Sequence, residues 1–313
     1  QRWMDRMTQI YNKVALIGLG LIAGSIALAM KRAGFSSEIR GHARSRETRD
    51  AALSLGLADS VFDTAVEAVK DADLVVLCVP VGIMGHVAAE IAPSLKAGAV
   101  LSDVGSVKAK VIEMVSGHIP KDVHFIPAHP IAGTENSGPK AGFAELFDGK
   151  WTILTPVGDV VAEEVAKLRN FWEKLGAKVD VMEPERHDLV LSVTSHVPHL
   201  IAYTMVGVAD DLERVTDKEV IEFSTGGFRD FTRIAASDPT MWRDVFLNNK
   251  EATLDVLGRF TEELFDLQRA IRRGDGEQLF EHFTRTRAIR RSIIEAGHDT
   301  AADDFGRSGK KNY

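Results

Sequence analysis

The fold is decided by the stretch Val14–Ser25, which reads VALIGLGLIAGS. Four apolar residues predict a buried strand, the run from Leu21 predicts a helix, and two glycines fall in the turn between them. Gly18 permits the tight turn, Gly20 lets the backbone approach a pyrophosphate, and Ala23 is small enough for the helix to pack on the strand. The helix N-terminus then presents free N–H groups and the positive end of its dipole to phosphate. The pattern therefore predicts a dinucleotide-binding turn.

The same region could belong to a targeting segment. Val14–Met30 is almost entirely apolar or glycine and follows basic residues, which is also typical of a signal-peptide core or a short membrane span. Gly18, Gly20 and Gly24 interrupt the run where a strand–turn–helix requires glycine, and this favours the dinucleotide interpretation. We therefore expect a cytoplasmic protein with no membrane partner.

The composition is that of a soluble globular protein. Of 313 residues, 45% are hydrophobic and 27% are charged, which excludes extended disorder and low complexity. The formal net charge of −7 argues against nucleic acid as a partner, although an anionic small molecule can bind where cations gather locally. The single cysteine, Cys78, excludes an intrachain disulfide and a zinc site built on several thiolates.

Apolar runs and helical patterns alternate along the first half of the chain. Such alternation is typical of an α/β fold with a doubly wound, mainly parallel sheet and helices on both faces. The predicted strands are Val14–Ile17, Leu74–Val79, Val100–Leu101, His124–Pro127, Thr152–Thr155 and Lys178–Met182. The predicted helices are Ile22–Ala33, Arg46–Leu55, Met84–Pro93, Val107–Val115 and Val160–Leu175. Strand-like runs then end, which predicts a first domain at 9–183, an all-helical domain at 184–298 and a mobile polar tail at 299–313.

The helical half carries a long apolar stripe. From Val245 to Ile271 the apolar residues mostly recur at three- and four-residue steps, which predicts one face of a long helix. Gly274-Asp275-Gly276 ends this helix, and a second striped helix follows. A domain of roughly 120 residues is small for so much apolar stripe. The stripe is compatible with an ordinary helical core, but we favour an interface between two copies of the chain.

A further predicted strand, between the first two predicted helices, bears on the choice of dinucleotide. It runs from Glu38 to near Ala43, where an NAD-selective site would place an acidic residue on the ribose 2′-hydroxyl. Arg44, Ser45 and Arg46 follow instead, and two guanidinium groups can hold a 2′-phosphate. These arginines also suit a solvated helix start, but we expect NADP, or use of both NADP and NAD. The predicted cofactor contacts lie in this turn, in the glycine turn and at strand ends: Gly18, Gly20, Leu21, Ile22, Ala43, Arg44, Ser45, Val79, Pro80, Asp103 and Gly105.

Four further polar stretches stand out. DVGSVK (103–108) and HPIAGTE (129–135) each follow a predicted strand, which puts polar side chains at strand carboxyl ends, where such sheets bind ligands. SHVPH (195–199) opens the helical half, and FRDFTRIA (228–235) follows it, with Trp242 beyond.

Together with GLGLIAGS, these stretches resemble the prephenate/arogenate dehydrogenases of tyrosine biosynthesis, also called cyclohexadienyl dehydrogenases. The resemblance extends from Val14 to about Ala296. It implies an NAD(P)-binding Rossmann domain, an all-α dimerisation domain, an active site between them and a homodimer. It also implies the reaction: hydride passes from ring C4 of prephenate or arogenate to the nicotinamide, and loss of the C1 carboxylate as CO₂ aromatises the ring.

The resemblance assigns roles to individual residues. His129 would accept the proton of the C4 hydroxyl, with Ser106 hydrogen-bonded to it and to the nicotinamide region. Arg233 would hold a substrate carboxylate with its planar fork. The remaining substrate contacts implied are His196, His199, Trp242, Thr134 and Glu135.

Plainer interpretations exist for several of these residues. His129 could be a loop histidine satisfied by its neighbours, and Trp242 could be core packing. His196 and His199 could bind a metal, but no thiolate or paired carboxylate stands near them in the sequence, so we expect none. His187-Asp188, at the start of the helical half, suits a helix cap or a hinge.

Two rival functions share this organisation. A β-hydroxyacid or 6-phosphogluconate-type dehydrogenase relies on a lysine in its helical half, where this chain offers only Lys218 and Lys250 outside any polar cluster. A non-catalytic NAD(P)-sensing dimer has no need of polar side chains near the nicotinamide. The serine, histidine and arginine set favours the enzyme over both.

Overall fold

The computed structural model describes residues 10–211 and 217–296. These residues form two units. The first comprises the described residues up to His199 together with Ala236–Thr253, and the second comprises Leu200–Ala235 together with the described residues from Leu254 onward. The predicted tail at 299–313 lies outside the described residues.

The main sheet of the first unit is parallel throughout. Its strands are β1 (Lys13–Ile17), β2 (Glu38–His42), β3 (Ser60–Phe62), β4 (Leu74–Leu77), β5 (Val100–Asp103) and β6 (His124–Phe125). Their order is β3-β2-β1-β4-β5-β6, which confirms the predicted doubly wound sheet. The strand order reverses between β1 and β4, and sheets of this kind bind ligands at the carboxyl ends of such a pair.

Three later strands form a separate sheet, which the sequence did not predict. They are β7 (Ala128–Pro130), β8 (Trp151–Leu154) and β9 (Lys178–Val181). β7 is antiparallel to β8, and β8 is parallel to β9. The runs at Thr152–Thr155 and Lys178–Met182 are therefore strands, but the expectation that they continue the parallel sheet was wrong. Pro127 separates β6 from β7 and has no N–H with which to extend the β6 ladder.

The helices agree with the predicted pattern to within about two residues, apart from an unpredicted short helix at Ala65–Val69. Their bounds are α1 (Leu21–Arg32), α2 (Arg46–Ser54), α3 (Ala65–Val69), α4 (Met84–Ile91), α5 (Ala109–Ser116), α6 (Ala162–Lys174), α7 (Pro184–Leu191) and α8 (Val197–Asp211). The apolar run 14–30 thus forms β1, the glycine turn and most of α1. Aromatic packing holds α6 in place. The ring of Phe171 packs edge to face against Tyr11 and Phe35, with ring centroids 5.8 and 5.7 Å apart.

A π-helical turn at Ser192–His196 joins α7 to α8. The whole run Pro184–Asp211 is long and apolar enough to cross a membrane, by length and composition only. Its buried polar residues His187 and Asp188 are hydrogen-bonded to other parts of the first unit, as buried polar groups in folded proteins generally are.

The remaining helices are α9 (Asp217–Phe223), α10 (Gly226–Thr232), α11 (Pro239–Asn248), α12 (Lys250–Arg273) and α13 (Gly276–Glu295). The stripe predicted as one helix from Val245 is broken at Asn249, whose φ of −133° and ψ of 49° are not helical. Gly274, at φ +69°, ends α12 as expected. In the single chain the apolar stripe of α12 and α13 is exposed, with Leu254 64% and Phe280 73% accessible.

Candidate active site

The glycine turn after β1 has the geometry that a dinucleotide requires. Gly18 has φ +95°, and a Cβ there would lie 2.4 Å from the carbonyl oxygen of Cys78. At Gly20, which caps α1, an added Cβ would meet no atom within 4 Å. The first turn of α1, from Leu21 and Ile22, carries no acidic side chain. Bare backbone and open space at a helix N-terminus fit a pyrophosphate.

The turn after β2 is held by an arginine that the sequence analysis did not single out. Arg49 donates to the carbonyl oxygens of Ala43 and Arg44 at 2.8 and 3.1 Å and pairs with Asp63 at 2.8 Å. Ala43 is buried, Arg44 is exposed, and the Ser45 hydroxyl caps α2 by accepting from the N–H of Thr48. Hydrogen bonds therefore hold the turn, and the guanidinium groups of Arg44 and of Arg46, the first residue of α2, are exposed.

The end of β4 adjoins the glycine turn. A Cβ on Gly18 would also lie 3.1 Å from Cγ1 of Val79, and Pro80 then caps a short 3₁₀ turn at Val81–Ile83. Burial, with the charge of Asp103, raises the pKa of the Cys78 thiol. The thiol is therefore protonated and is a poor nucleophile.

A buried ion pair lies at the end of β5. The Lys108 ammonium contacts the Asp103 carboxylate and donates to the Ala128 carbonyl oxygen at 2.6 Å. The same carboxylate accepts from the N–H groups of Gly105 and Ala128. Both charged side chains have no solvent exposure, so Asp103 could meet a cofactor only through its backbone. Ser106, between them in sequence, is half-buried.

His129 lies on β7 in a row of hydrogen-bonded polar side chains. Its Nδ1 is 2.7 Å from Nε2 of His187, and Nδ1 of His187 is 2.8 Å from Oδ1 of Asp188. Burial lowers the pKa of His129 well below its usual 6.5, and the charges of His187 and Lys108 lower it further. His129 is consequently a neutral imidazole at pH 7. It is not a loop histidine, and its two partners were not predicted to act with it.

A second cluster surrounds His196. The ring of His199 stacks on Trp242 with centroids 3.7 Å apart, and His196 meets the same indole edge to face at 6.0 Å. Burial lowers the pKa of His196 to about 4. Within residues 10–211 and 217–296, Nε2 of His196 and Nε1 of Trp242 are buried and have no hydrogen-bond partner. Because buried polar atoms are nearly always satisfied, these two atoms are candidates for a ligand contact.

The structure therefore brings some predicted site residues together. His129, His196, His199 and Trp242 all lie in the first unit, and the Ser106 backbone lies close enough to His196 to favour its charged form. Thr134 and Glu135 are exposed in the loop after β7. Arg233 is exposed at the start of a 3₁₀ turn (Arg233–Ala236) and belongs to the second unit, so its role stays a prediction. Among the residues that the structure describes, no group of three His, Cys, Asp or Glu could hold a metal ion.

A dinucleotide turn at the reversal point of a parallel sheet, together with a buried neutral imidazole, is the arrangement of a nicotinamide-dependent dehydrogenase. Residues 26–181 match the family model described as prephenate dehydrogenase, nucleotide-binding domain, and residues 183–285 match prephenate dehydrogenase, dimerization domain. The chain thus belongs to the prephenate dehydrogenase family, and it is an enzyme of that kind. The hydroxyacid-dehydrogenase and sensor alternatives are not favoured.

Individual relatives agree with this assignment. The chain is 42% identical over 290 residues to the cyclohexadienyl dehydrogenase of Zymomonas mobilis, covering 93% of this chain and 98% of that protein. It is 37% identical to the prephenate dehydrogenase of Bacillus subtilis, over 88% and 75% of the two chains. The crystal structure of Aquifex aeolicus prephenate dehydrogenase, in complex with hydroxyphenyl propionate and NAD⁺, is similar with a TM-score of 0.83. That protein is 35% identical, and the likeness covers 90% of this chain and 98% of the other.

Proposed function

We propose that the protein catalyses the NAD(P)-dependent oxidative decarboxylation of prephenate, arogenate or both, in tyrosine biosynthesis. Family membership and the relatives named above support this reaction. The observation that carries it is the buried, neutral His129, held by a hydrogen bond to its Nδ1. Such an imidazole can accept the proton of an alcohol as the alcohol is oxidised.

In the proposed reaction, the His129 imidazole first accepts a proton and later returns it. A nicotinamide cofactor, held by the glycine turn after β1, would supply the hydride acceptor for the C4 hydrogen of the substrate. His129 takes the C4 hydroxyl proton, so that a ring carbonyl forms. The bond between C1 and its carboxylate then breaks, CO₂ leaves, and the bond's electron pair aromatises the ring. His129 can return its proton to the resulting phenolate oxygen, which leaves the enzyme ready for another turnover.

Substrate recognition is proposed to use the predicted set of residues. Arg233 would bind a carboxylate, and Ser106 would hydrogen-bond near the reacting carbinol. His196, His199 and Trp242 would form the wall of the pocket, since the unpartnered N–H of Trp242 and the unpartnered Nε2 of His196 need a polar partner. The remaining proposed contacts, near the substrate side chain, are Thr134 and Glu135.

For the cofactor, we propose NADP or dual use. The side chain of buried Ala43 has no acceptor for a ribose 2′-hydroxyl, while the exposed Arg44 beside it can contact a 2′-phosphate. The other proposed contacts are those of the glycine turn and of the β4 and β5 ends: Gly18, Gly20, Leu21, Ile22, Ser45, Val79, Pro80, Asp103 and Gly105. The NAD⁺ complex of the A. aeolicus relative supports a nicotinamide cofactor without deciding between the two.

The oligomeric state, the cellular location and the domain limits are proposed on the same grounds. The match to a dimerization domain and the exposed stripe of α12 and α13 support a homodimer. The metabolic role of the relatives supports a cytoplasmic location. We propose domain limits of 9–183 and 184–298.

The test is an initial-rate comparison with prephenate and arogenate, each with NAD⁺ and NADP⁺. We expect the nicotinamide to be reduced with at least one of the two acids. We also expect kcat/KM with NADP⁺ to be higher than, or similar to, kcat/KM with NAD⁺. His129→Asn should lower kcat by about 10²- to 10⁴-fold with little change in substrate binding. The absence of turnover in all four combinations would exclude the proposed reaction.

A further inference from the structure

Three residues from two elements form a continuous row behind the proposed base. His129 lies on β7, whereas His187 and Asp188 lie on α7. The two imidazole rings meet edge to face, with centroids 5.0 Å apart and an interplanar angle of 71°. The His187 side chain has no solvent exposure, so water does not compete for its two nitrogens.

The hydrogen-bond partners determine which ring nitrogens carry hydrogen. A carboxylate only accepts, so Nδ1 of His187, 2.8 Å from Asp188, must be the donor. Nε2 of a neutral His187 is then an acceptor, and Nδ1 of His129, 2.7 Å away, must donate to it. Nε2 of His129 is left with its lone pair, which is the state that a base requires.

We propose that His187, oriented by Asp188, is a positioning residue that keeps Nε2 of His129 unprotonated and so able to accept the substrate proton. This inference rests on the proposed function, in which His129 is the base. Without an acceptor at Nδ1, the single hydrogen of a neutral His129 can move to Nε2, where it blocks proton transfer.

Burial and the charges around the row favour the neutral forms of its two imidazoles. Lys108 and His196, with His187, face His129 and oppose a positive charge on its ring. Burial lowers the pKa of His187 and the charge of Lys108 lowers it further, while the hydrogen bond that His187 donates to Asp188 and the charges of Asp188 and Asp103 act in the opposite direction. Both rings are therefore neutral at pH 7, so Nδ1 of His129 donates the hydrogen bond between them and Nε2 of His187 accepts it.

Asp188 is itself fixed from several sides. Its carboxylate accepts from the backbone N–H groups of Lys108 and Ala109 at 2.8 and 3.0 Å, and so caps α5. Asn249, at the break between α11 and α12, donates to the Asp188 carbonyl oxygen at 3.1 Å. Changing Asp188 would disturb α5 as well as the row, so the test is made at His187.

The experiment compares His187→Leu and His187→Gln in the full chain, with His118→Gln as the matched control. Leucine removes the acceptor, whereas the glutamine oxygen can still accept from Nδ1 of His129. His118 is exposed, at the far end of α5. We expect a kcat loss of about 10²- to 10³-fold in the leucine variant, by analogy with a wrongly oriented catalytic histidine. The glutamine variant should recover at least about tenfold of that loss, with KM values near wild type in all variants.

Nitrogen-15 NMR of the histidine rings, recorded without substrate, gives a second readout. We expect His129 to carry its hydrogen on Nδ1 in the wild type and in His187→Gln, and on Nε2 in His187→Leu. The proposal is overturned by Nε2–H on His129 of the wild type, by an unchanged tautomer in the leucine variant, or by equal kcat for the two variants. Because the spectrum needs no turnover, it separates failure of this proposal from failure of the proposed reaction, which would appear as an inactive wild type.

Discussion

The pair Gly18→Ala and Gly20→Ala separates what the fold needs at the glycine turn from what the cofactor needs. At Gly18, φ is +95°, and a left-handed backbone costs a residue with Cβ about 1–2 kcal/mol. The added carbon would also lie 2.4 Å from the carbonyl oxygen of Cys78, so the backbone must shift, and overpacking of this kind costs about 1–3 kcal/mol. We expect Gly18→Ala to lower the free energy of unfolding by about 3 kcal/mol, which is about 6–12 °C in Tm for a unit of this size.

Gly20→Ala is the control, because its φ is −98° and an added Cβ meets no atom within 4 Å. We expect an unchanged Tm for this variant but a weaker affinity for NAD(P), since the methyl group would occupy the space that the pyrophosphate needs. Thermal unfolding without ligand measures the first quantity, and quenching of tryptophan fluorescence by the cofactor measures the second. A Gly18→Ala protein as stable as wild type, or a Gly20→Ala protein with wild-type cofactor affinity, would refute the reasoning.

Further predictions concern the pH dependence, the substrate anchor and the cofactor. Because the pKa of His129 is lowered well below 6.5, kcat should hold through pH 6.5 and fall only in more acid solution; an acid limb centred near 6.5 would contradict a buried base. His129 and His196 take up protons more readily when unfolded, so the free energy of unfolding should decrease as pH falls below about 6.5, as denaturant titrations at several pH values would show. Arg233→Ala should weaken substrate binding by about 2–5 kcal/mol at constant cofactor KM, and an unchanged substrate KM would place the carboxylate elsewhere. Ala43→Asp should shift the kcat/KM ratio towards NAD⁺, and an unaltered ratio would remove this position from the ribose site.

The parts of the fold that depend on short segments were predictable from sequence. The strand, glycine turn and helix of Val14–Ser25 are a local unit, because the apolar pattern sets the strand and the glycine positions set the turn. The same local logic placed the ends of β4 and β5 to within two residues and identified the stop at Gly274. It failed at Asn249, where the apolar pattern continues through a break in the helix. An apolar pattern that continues without interruption gives no sign of a single non-helical residue within it. Only the backbone angles of that residue show the break.

The candidate site contains contacts that the sequence by itself did not predict. His129 was identified because it follows a strand in a characteristic stretch, but His187, 58 positions away, carried only the signal of a helix start. Its role depends on β7 leaving the parallel sheet to pair with β8, which places Nδ1 of His129 within 2.7 Å of His187. Sequence determined the dinucleotide turn, since that turn resides in contiguous residues, and its resemblance to a family nominated His129 as the proposed base. Tertiary structure alone decided the partners of that base and its protonation, because burial and hydrogen bonding between distant segments set both.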